Sequence, residues 1–308
     1  MTHDLSKALT GISGILVTPY DAGGEIAPRK LAPIIDRALA AGVHIPVVNG
    51  NTGEYYALTN DEACTMVREV AQLVDGRAPL LAGVGRGIRD ACALAKASAK
   101  AGADALMIHQ PPDPFVSPRG TVDYVRAVRD ASGGLPVMLY LRNDAMGPEG
   151  IARLCEVEGV KGVKWATPNP LNLARAIEAA PNDIVWVGGL AEVWAPPLYA
   201  VGARGFTSGL INVWPERSVA IHAALDAGNY AEANRLIASM RAFEDIRAEE
   251  HNGTNVTGVK AALMAIGQGC GPTRPPSAWP LTEQQQAVLD QFVKDNQLKG
   301  EAHEPRTT

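Results

Sequence analysis

Apolar, β-prone runs of roughly four to six residues recur along the chain, at 14–19, 45–49, 80–83, 105–109, 136–141, 160–165, 184–188 and 205–208. Between most of them Ala, Leu, Ile and Val return at spacings of three and four, as in 31–41, 60–73, 90–101 and 171–180, which predicts amphipathic helices. The helices stop near Gly42, Gly76, Gly102, Pro181 and Gly202, residues that end a helix or cannot continue it. The runs are nearly continuous in apolar residues, which fits parallel strands buried on both faces. Eight strand and helix units whose strands start roughly 21 to 35 residues apart predict an α/β fold, a (β/α)8 TIM barrel. An open doubly wound sheet is the alternative.

After the eighth run the pattern is helical only, over 215–227, 230–248, 256–266 and 282–296, with Thr282 capping a polar first turn that contains Glu283. The first of these is the barrel's eighth helix. The expected organisation is therefore a barrel over 10–227, a C-terminal helical appendage over 228–297 packed on it, and a flexible tail over 298–308.

Composition narrows the class. Of 308 residues 46% are hydrophobic and only 20% charged, which excludes a disordered chain and allows a large core. No apolar run approaches the roughly 20 residues of a membrane span, and the N-terminus lacks the basic start and apolar stretch of a secretory signal. A cytoplasmic location is expected, with no membrane partner. Cys64, Cys92, Cys155 and Cys270 stand far apart and read as reduced core residues. The 28 basic and 33 acidic residues are interspersed, so nucleic acid is not an expected partner and a small molecule is. The six histidines have no ligand-like spacing, and no metal is expected.

In such barrels chemistry sits at the C-terminal ends of the strands. The second run ends in Asn49-Gly-Asn-Thr-Gly-Glu54, a turn able to offer backbone N–H groups and the Thr52 hydroxyl to a carboxylate, or simply a glycine-rich connection. The fifth ends at Tyr140 and the sixth at Lys164. Alternation sends Lys161 and Lys164 to opposite faces; with Lys164 in the lumen, Lys161 faces out near the barrel's base. A lysine in an apolar lumen loses proton affinity and becomes the neutral amine that attacks a carbonyl. Its structural alternative is a lysine snorkelling to the rim. Tyr140 has two readings, a proton-carrying hydroxyl beside that amine or an amphipathic core residue.

Gly50-Asn-Thr-Gly-Glu54, Tyr140 and Gly162-Val-Lys164 together resemble the dihydrodipicolinate synthase and N-acetylneuraminate lyase family over about residues 10 to 295. The resemblance implies that Lys164 forms an imine with the keto carbon of pyruvate or another 2-oxo acid, that Tyr140 relays protons, and that Asn51, Thr52 and Gly53 bind the carboxylate. It implies a covalent mechanism without a cofactor, and a homo-oligomer, dimer or tetramer. The departures matter too. Asn51 stands where the family has the first Thr of a pair, and Gln110-Pro-Pro-Asp113 replaces Thr-Pro-Tyr-Tyr, whose second tyrosine reaches a neighbouring subunit. Leu141-Arg-Asn-Asp-Ala145 is more similar to the Tyr-Asn-Arg-Asp-Asn run of the 5-dehydro-4-deoxyglucarate dehydratase branch.

The expected reaction is dehydration of a 2-oxo-3-deoxy sugar acid. His109, Gln110, Arg142, Asn143, Thr167 and Ser208 are the rim residues for substrate choice, with Arg142 placed for a distal carboxylate. The imine equally permits a pyruvate-dependent aldolase or synthase, including 4-hydroxy-tetrahydrodipicolinate synthase. Gly188-Gly189 and Ser208-Gly209 leave open an aldolase for phosphorylated sugars, although no basic residue adjoins them. Asn51 leaves open a 2-oxo acid sensor without turnover. Two other signals carry less. Gly83-Val-Gly-Arg-Gly87 misses the dinucleotide spacing by one residue and reads as the loop after strand three, and the sequons at Asn252 and Asn255 read as a helix start.

Overall fold

The computed structural model describes residues 4–277 and 280–300. The expected tail beyond residue 300 and the first three residues lie outside the described part. Eight strands, β1 (Ile12–Ile15), β2 (Ile45–Val48), β3 (Leu81–Val84), β4 (Ala105–His109), β5 (Val137–Leu141), β6 (Val160–Trp165), β7 (Val185–Gly188) and β8 (Gly205–Ser208), close into a parallel barrel in chain order. Direct pairing of β1 with β8 excludes the open sheet.

A short helix α1 (Leu5–Leu9) precedes the barrel. The crossover helices are α2 (Ala32–Ala41), α3 (Asn60–Val74), α4 (Ile88–Ala101), α5 (Pro118–Ala131), α6 (Gly147–Cys155), α7 (Pro170–Ala179) and α8 (Ala195–Ala200), and α9 (Pro215–Asp226) follows β8. Their ends follow local chemistry. Thr59 and Glu62 form a reciprocal capping box on α3. Gly42 and Gly102 end α2 and α4 with φ of 99° and 93°, a left-handed turn that a side chain would oppose.

The strands are buried on both faces, so each divides its side chains between two cores. Ile45, Val47, Leu81, Ala105, Met107, Met138, Tyr140 and Val187 fill the lumen. Val48, Ala82, Leu106, Ile108, Leu139, Val163 and Phe206 face the helices. The lumen's base is plugged by Leu5 and Leu9 of α1, an element absent from the hydrophobic pattern because it spans barely more than a turn. Leu9 fits because Gly162 on β6 has no Cβ; one would lie 2.7 Å from the Leu9 Cδ1.

The first strand lies earlier than the apolar run at 14–19 suggests. Past Leu16, whose N–H still donates to Val47 O of β2, the chain leaves the ladder: the Val17 N–H donates to Asn212 Oδ1 at 3.2 Å, the Thr18 hydroxyl donates to Gly53 O at 2.6 Å, and Pro19 has no N–H to give. Burial without pairing looks the same in sequence as a strand.

Beyond the barrel run α10 (Tyr230–Asn252), α11 (Asn255–Ala265) and α12 (Glu283–Asp295). They pack on one another and on α9, with Phe243 of α10 stacked on Phe292 of α12 at 5.6 Å between ring centres. The α10 backbone is not helical at Glu249, Glu250 and His251. Asn255 begins α11, and the Gly83–Gly87 stretch forms the end of β3 and the loop into α4. Among the described residues no helix is long and apolar enough to cross a membrane.

Candidate active site

Adjacent strands bring His109, Tyr140 and Lys164 into one layer, since His109 pairs in register with Tyr140 and Tyr140 with Lys164. Lys164 is only 3% exposed, and its Nζ lies 3.9 Å from the centre of the Tyr140 ring. Among the described residues no carboxylate pairs with it. Burial, and secondarily the positive charge of Arg247, lower its pKa to about 7. Lys161 points the other way, exposed, with its Nζ 3.5 Å from Asp183. The same strand thus carries an ordinary surface cation and, three residues on, an amine that is half neutral near pH 7.

Burial also raises the Tyr140 phenol above its usual range, so it keeps its proton. The Asn51 amide donates to Tyr140 Oη at 2.8 Å, leaving the phenolic O–H free to donate elsewhere. His109 supports this pair from behind. It is fully buried, one ring nitrogen donates to Asn49 O at 3.0 Å, and the other lies 3.3 Å from the Tyr56 hydroxyl, which sets the tautomer. Burial first, then the Lys164 charge, lowers the His109 pKa to about 3, so the ring is neutral.

The turn after β2 is tightly made. The Gly53 N–H donates to Gly50 O at 3.0 Å and the Glu54 N–H to Asn51 O at 2.9 Å, with Asn49 and Glu54 both left-handed at φ of 59° and 54°. The Gly53 amide is therefore committed within the turn. Gly53 instead permits close approach, because a Cβ there would meet Leu16 O at 2.9 Å. The cradle expected for a carboxylate narrows to the Asn51 and Thr52 amides and side chains. Glu54 faces away from the cavity: its carboxylate takes Lys260 Nζ at 2.5 Å and the Arg274 N–H at 2.7 Å, tying the turn to the C-terminal segment.

A cavity of about 620 Å³ opens over this layer, and Asn51, Thr52, Tyr140, Arg142 and Lys164 all line it. The other rim residues do not. Ser208 faces the helices, its Oγ 3.0 Å from Ser218, because alternation along β8 turns Thr207 into the cavity and Ser208 out. Thr167 is buried beside the cavity wall, where Ala166 takes the lining position. Asn143 is exposed and accepts from Gln110 Nε2 at 3.3 Å, while His109 packs edge-on against the Tyr140 ring, 5.0 Å between centres.

The sequence reading missed the contribution of the last helices. Arg241, Glu244, Asp245 and Arg247 of α10, with Asn252 and Asn255, complete the wall. The signal was present as charged residues at spacings of three and four on a helix that also buries Met240, Phe243 and Ile246.

Residues 8–296 match the model of the dihydrodipicolinate synthetase family. The chain belongs to this family. It is 31% identical over 297 residues to a probable 5-dehydro-4-deoxyglucarate dehydratase of Rhizobium rhizogenes, covering 94% of this chain and 97% of the relative. It is 35% identical over 286 residues to 4-hydroxy-tetrahydrodipicolinate synthase 1 of Streptomyces coelicolor, covering 90% and 91%. The crystal structure of dihydrodipicolinate synthase from Oceanobacillus iheyensis superimposes with a TM-score of 0.90 at 35% identity, over 95% of this chain and 98% of that one. Members of the dihydrodipicolinate synthetase family are lyases acting on small molecules, and this chain shares their barrel and C-terminal helices.

Proposed function

We propose that the protein is a Schiff-base lyase that dehydrates a 2-oxo-3-deoxy sugar acid on Lys164. The observation that carries this reading is the buried Lys164 amine at the floor of the cavity, without a carboxylate partner and with its pKa lowered to about 7. Near neutral pH about half of it is a nucleophile.

The substrate's C1 carboxylate rests on the Asn51 and Thr52 amides, holding the C2 keto carbon against Nζ. Nζ adds to C2, the carbonyl oxygen takes one proton from the Tyr140 hydroxyl and a second from the attached nitrogen, relayed through Tyr140, and leaves as water to give the cationic imine. Asn51, donating to the Tyr140 oxygen, steadies the phenolate that forms in between. The imine acidifies C3. The Tyr140 phenolate takes the C3 proton to give the enamine, whose electron pair expels the C4 hydroxyl; that oxygen leaves as water with the proton Tyr140 returns, and hydrolysis of the conjugated imine releases the unsaturated 2-oxo product and the Lys164 amine. No cofactor is needed, since the covalent imine is itself the electron sink. The protein is expected to act as a dimer or tetramer.

Support for a dehydratase over a synthase comes from Leu141-Arg-Asn-Asp-Ala145 and from the lack of a tyrosine in Gln110-Pro-Pro-Asp113. The relative named as a synthase keeps carbon–carbon bond formation as the second reading.

Borohydride added with pyruvate should fix one pyruvate-derived adduct on Lys164, located by peptide mass. An intact fold without that adduct would sink both lyase readings. Over a panel of 2-oxo-3-deoxy acids, release of water without pyruvate marks the dehydratase and release of pyruvate marks the aldolase. An adduct without any turnover marks a sensor.

A further inference from the structure

Behind the cavity wall lies a carboxyl group that the proposed chemistry does not use. Glu192 sits in a single 3-10 turn, Glu192–Trp194, between β7 and α8, and is 0% exposed. Its neighbours Ala191, Val193 and Trp194 line the cavity, whereas its own side chain reaches Ser218 of α9. Ala191 makes the turn at φ of 60° and ψ of −167°, a backbone that a residue other than glycine holds only where its surroundings enforce it.

The polar contacts of this carboxyl are one-sided. Oε1 accepts from Ser218 Oγ at 2.6 Å, which uses Ser218's single proton. Ser208, 3.0 Å from Ser218, therefore donates to it, and the Ser208 oxygen accepts from the Ile211 N–H at 3.2 Å. Oε2 is buried and has no hydrogen-bond partner among the described residues. An ionised group in that setting is left unsolvated, so the neutral acid is favoured. Burial first, then the Glu244 charge, holds the Glu192 carboxyl well above the usual carboxylate range.

The groups packed around Glu192 narrow what acts on it. The strands β7 and β8 carry no ionisable side chain. From α8 comes Tyr199, which responds to Asp226, Arg204 and Tyr230 instead. On α9, Arg217 lies over the Trp214 ring, His222 bonds the Thr10 carbonyl, and Glu216 and Asp226 are exposed. On α10, Arg241 and Asp245 line the cavity, and Glu244 pairs with Arg247. Arg247 in turn is the charge in this wall that acts on Lys164. Four buried ionisable groups, Lys164, Arg247, Glu244 and Glu192, thus stand in series, each coupled to the next.

We propose that Glu192 is a positioning residue for the Lys164 amine: while it is neutral, Glu244 alone balances Arg247, and when it ionises the added charge offsets Arg247 and strengthens the amine's hold on its proton. This rests on the reading of Lys164 as the amine that forms the imine. Once Glu192 has given up its proton, the next is harder to take from Lys164. The supply of neutral amine then rises with pH more gradually than a lone lysine's would.

Trace labelling with acetic anhydride from about pH 5.5 to about pH 9, read at Lys164 by peptide mass, measures the neutral amine without any substrate. The wild-type curve should be drawn out. Glu192→Gln should coincide with it at the acid end, where Glu192 is neutral, and then rise as a single-group curve with its midpoint about one pH unit lower. Ser218→Ala removes the hydroxyl that favours the charged carboxyl and should move the curve the same way, which keeps the test open where the Glu192 variant folds poorly. Curves unchanged in both variants overturn the proposal. So does a displacement by the same factor at every pH, the signature of a role in packing alone. Borohydride trapping with pyruvate on the wild-type protein stands apart: no adduct overturns the imine, whereas the labelling curve judges Glu192 with no substrate present.

Discussion

Lys164 shows at the scale of one residue what a buried amine costs and what it makes possible. Its folded pKa of about 7 lies well below the roughly 10.4 of a lysine in an unfolded chain. Between those pH values the unfolded chain holds more protons than the folded one, so this group makes stability rise with pH across that window. Below pH 7 both states are protonated and the full penalty of a buried charge remains. Lys164→Met, which keeps the volume and removes the charge, should therefore stabilise the protein by on the order of a few kcal/mol at pH 6. The gain should shrink steadily towards pH 10. Urea unfolding of both proteins at pH 6, 8 and 10 reads this directly, and a gain independent of pH would mean that the lysine is not desolvated. The lysine's place in the lumen was legible in sequence because a cation inside an apolar strand is conspicuous. Its second pKa determinant, Arg247, was not, because it comes from a helix outside the barrel.

At the scale of elements, helices were legible where their stops carry a local reason, as at Gly42 and Gly102, whose left-handed φ only a few residues tolerate. Strand faces were less legible. In strands buried on both sides the hydrophobic pattern does not say which residues face the lumen, and on β8 this left Ser208 in the place that Thr207 occupies. The turn after β2 shows the same limit, since its glycine-rich sequence announces a turn but not that the Gly53 amide is spent within it. Nor does sequence announce that Glu54 leaves the cavity to pair with Lys260, both almost wholly buried. Lys260→Met should cost about 3–5 kcal/mol, because it strands a buried carboxylate. Glu54→Gln combined with Lys260→Met should recover much of that loss, as measured by a double-mutant cycle in urea. Simple additivity of the two substitutions would show that the pair is not coupled.

At the scale of the molecule, α10 to α12 were legible as helices but not as part of the site, since periodicity reports which face is buried and not what lies beneath it. Three observations make them integral to the barrel. Leu236, Ile237, Met240, Phe243 and Ile246 of α10 are buried, so removing the helix would expose a continuous apolar surface. Lys260 of α11 neutralises Glu54 under the turn after β2, and Glu244 with Arg247 closes the cavity above Lys164. A chain ending at residue 227 retains all eight strands and α9 yet loses every one of these contacts. It is expected to aggregate or to melt without cooperativity, and to form no borohydride-stable adduct on Lys164. Size-exclusion chromatography, a thermal melt and the trapping assay on that truncated chain decide the matter. A monodisperse, cooperatively melting and trappable fragment would make the C-terminal helices accessory, whereas their loss taking fold and chemistry together would mark them as the barrel's missing wall.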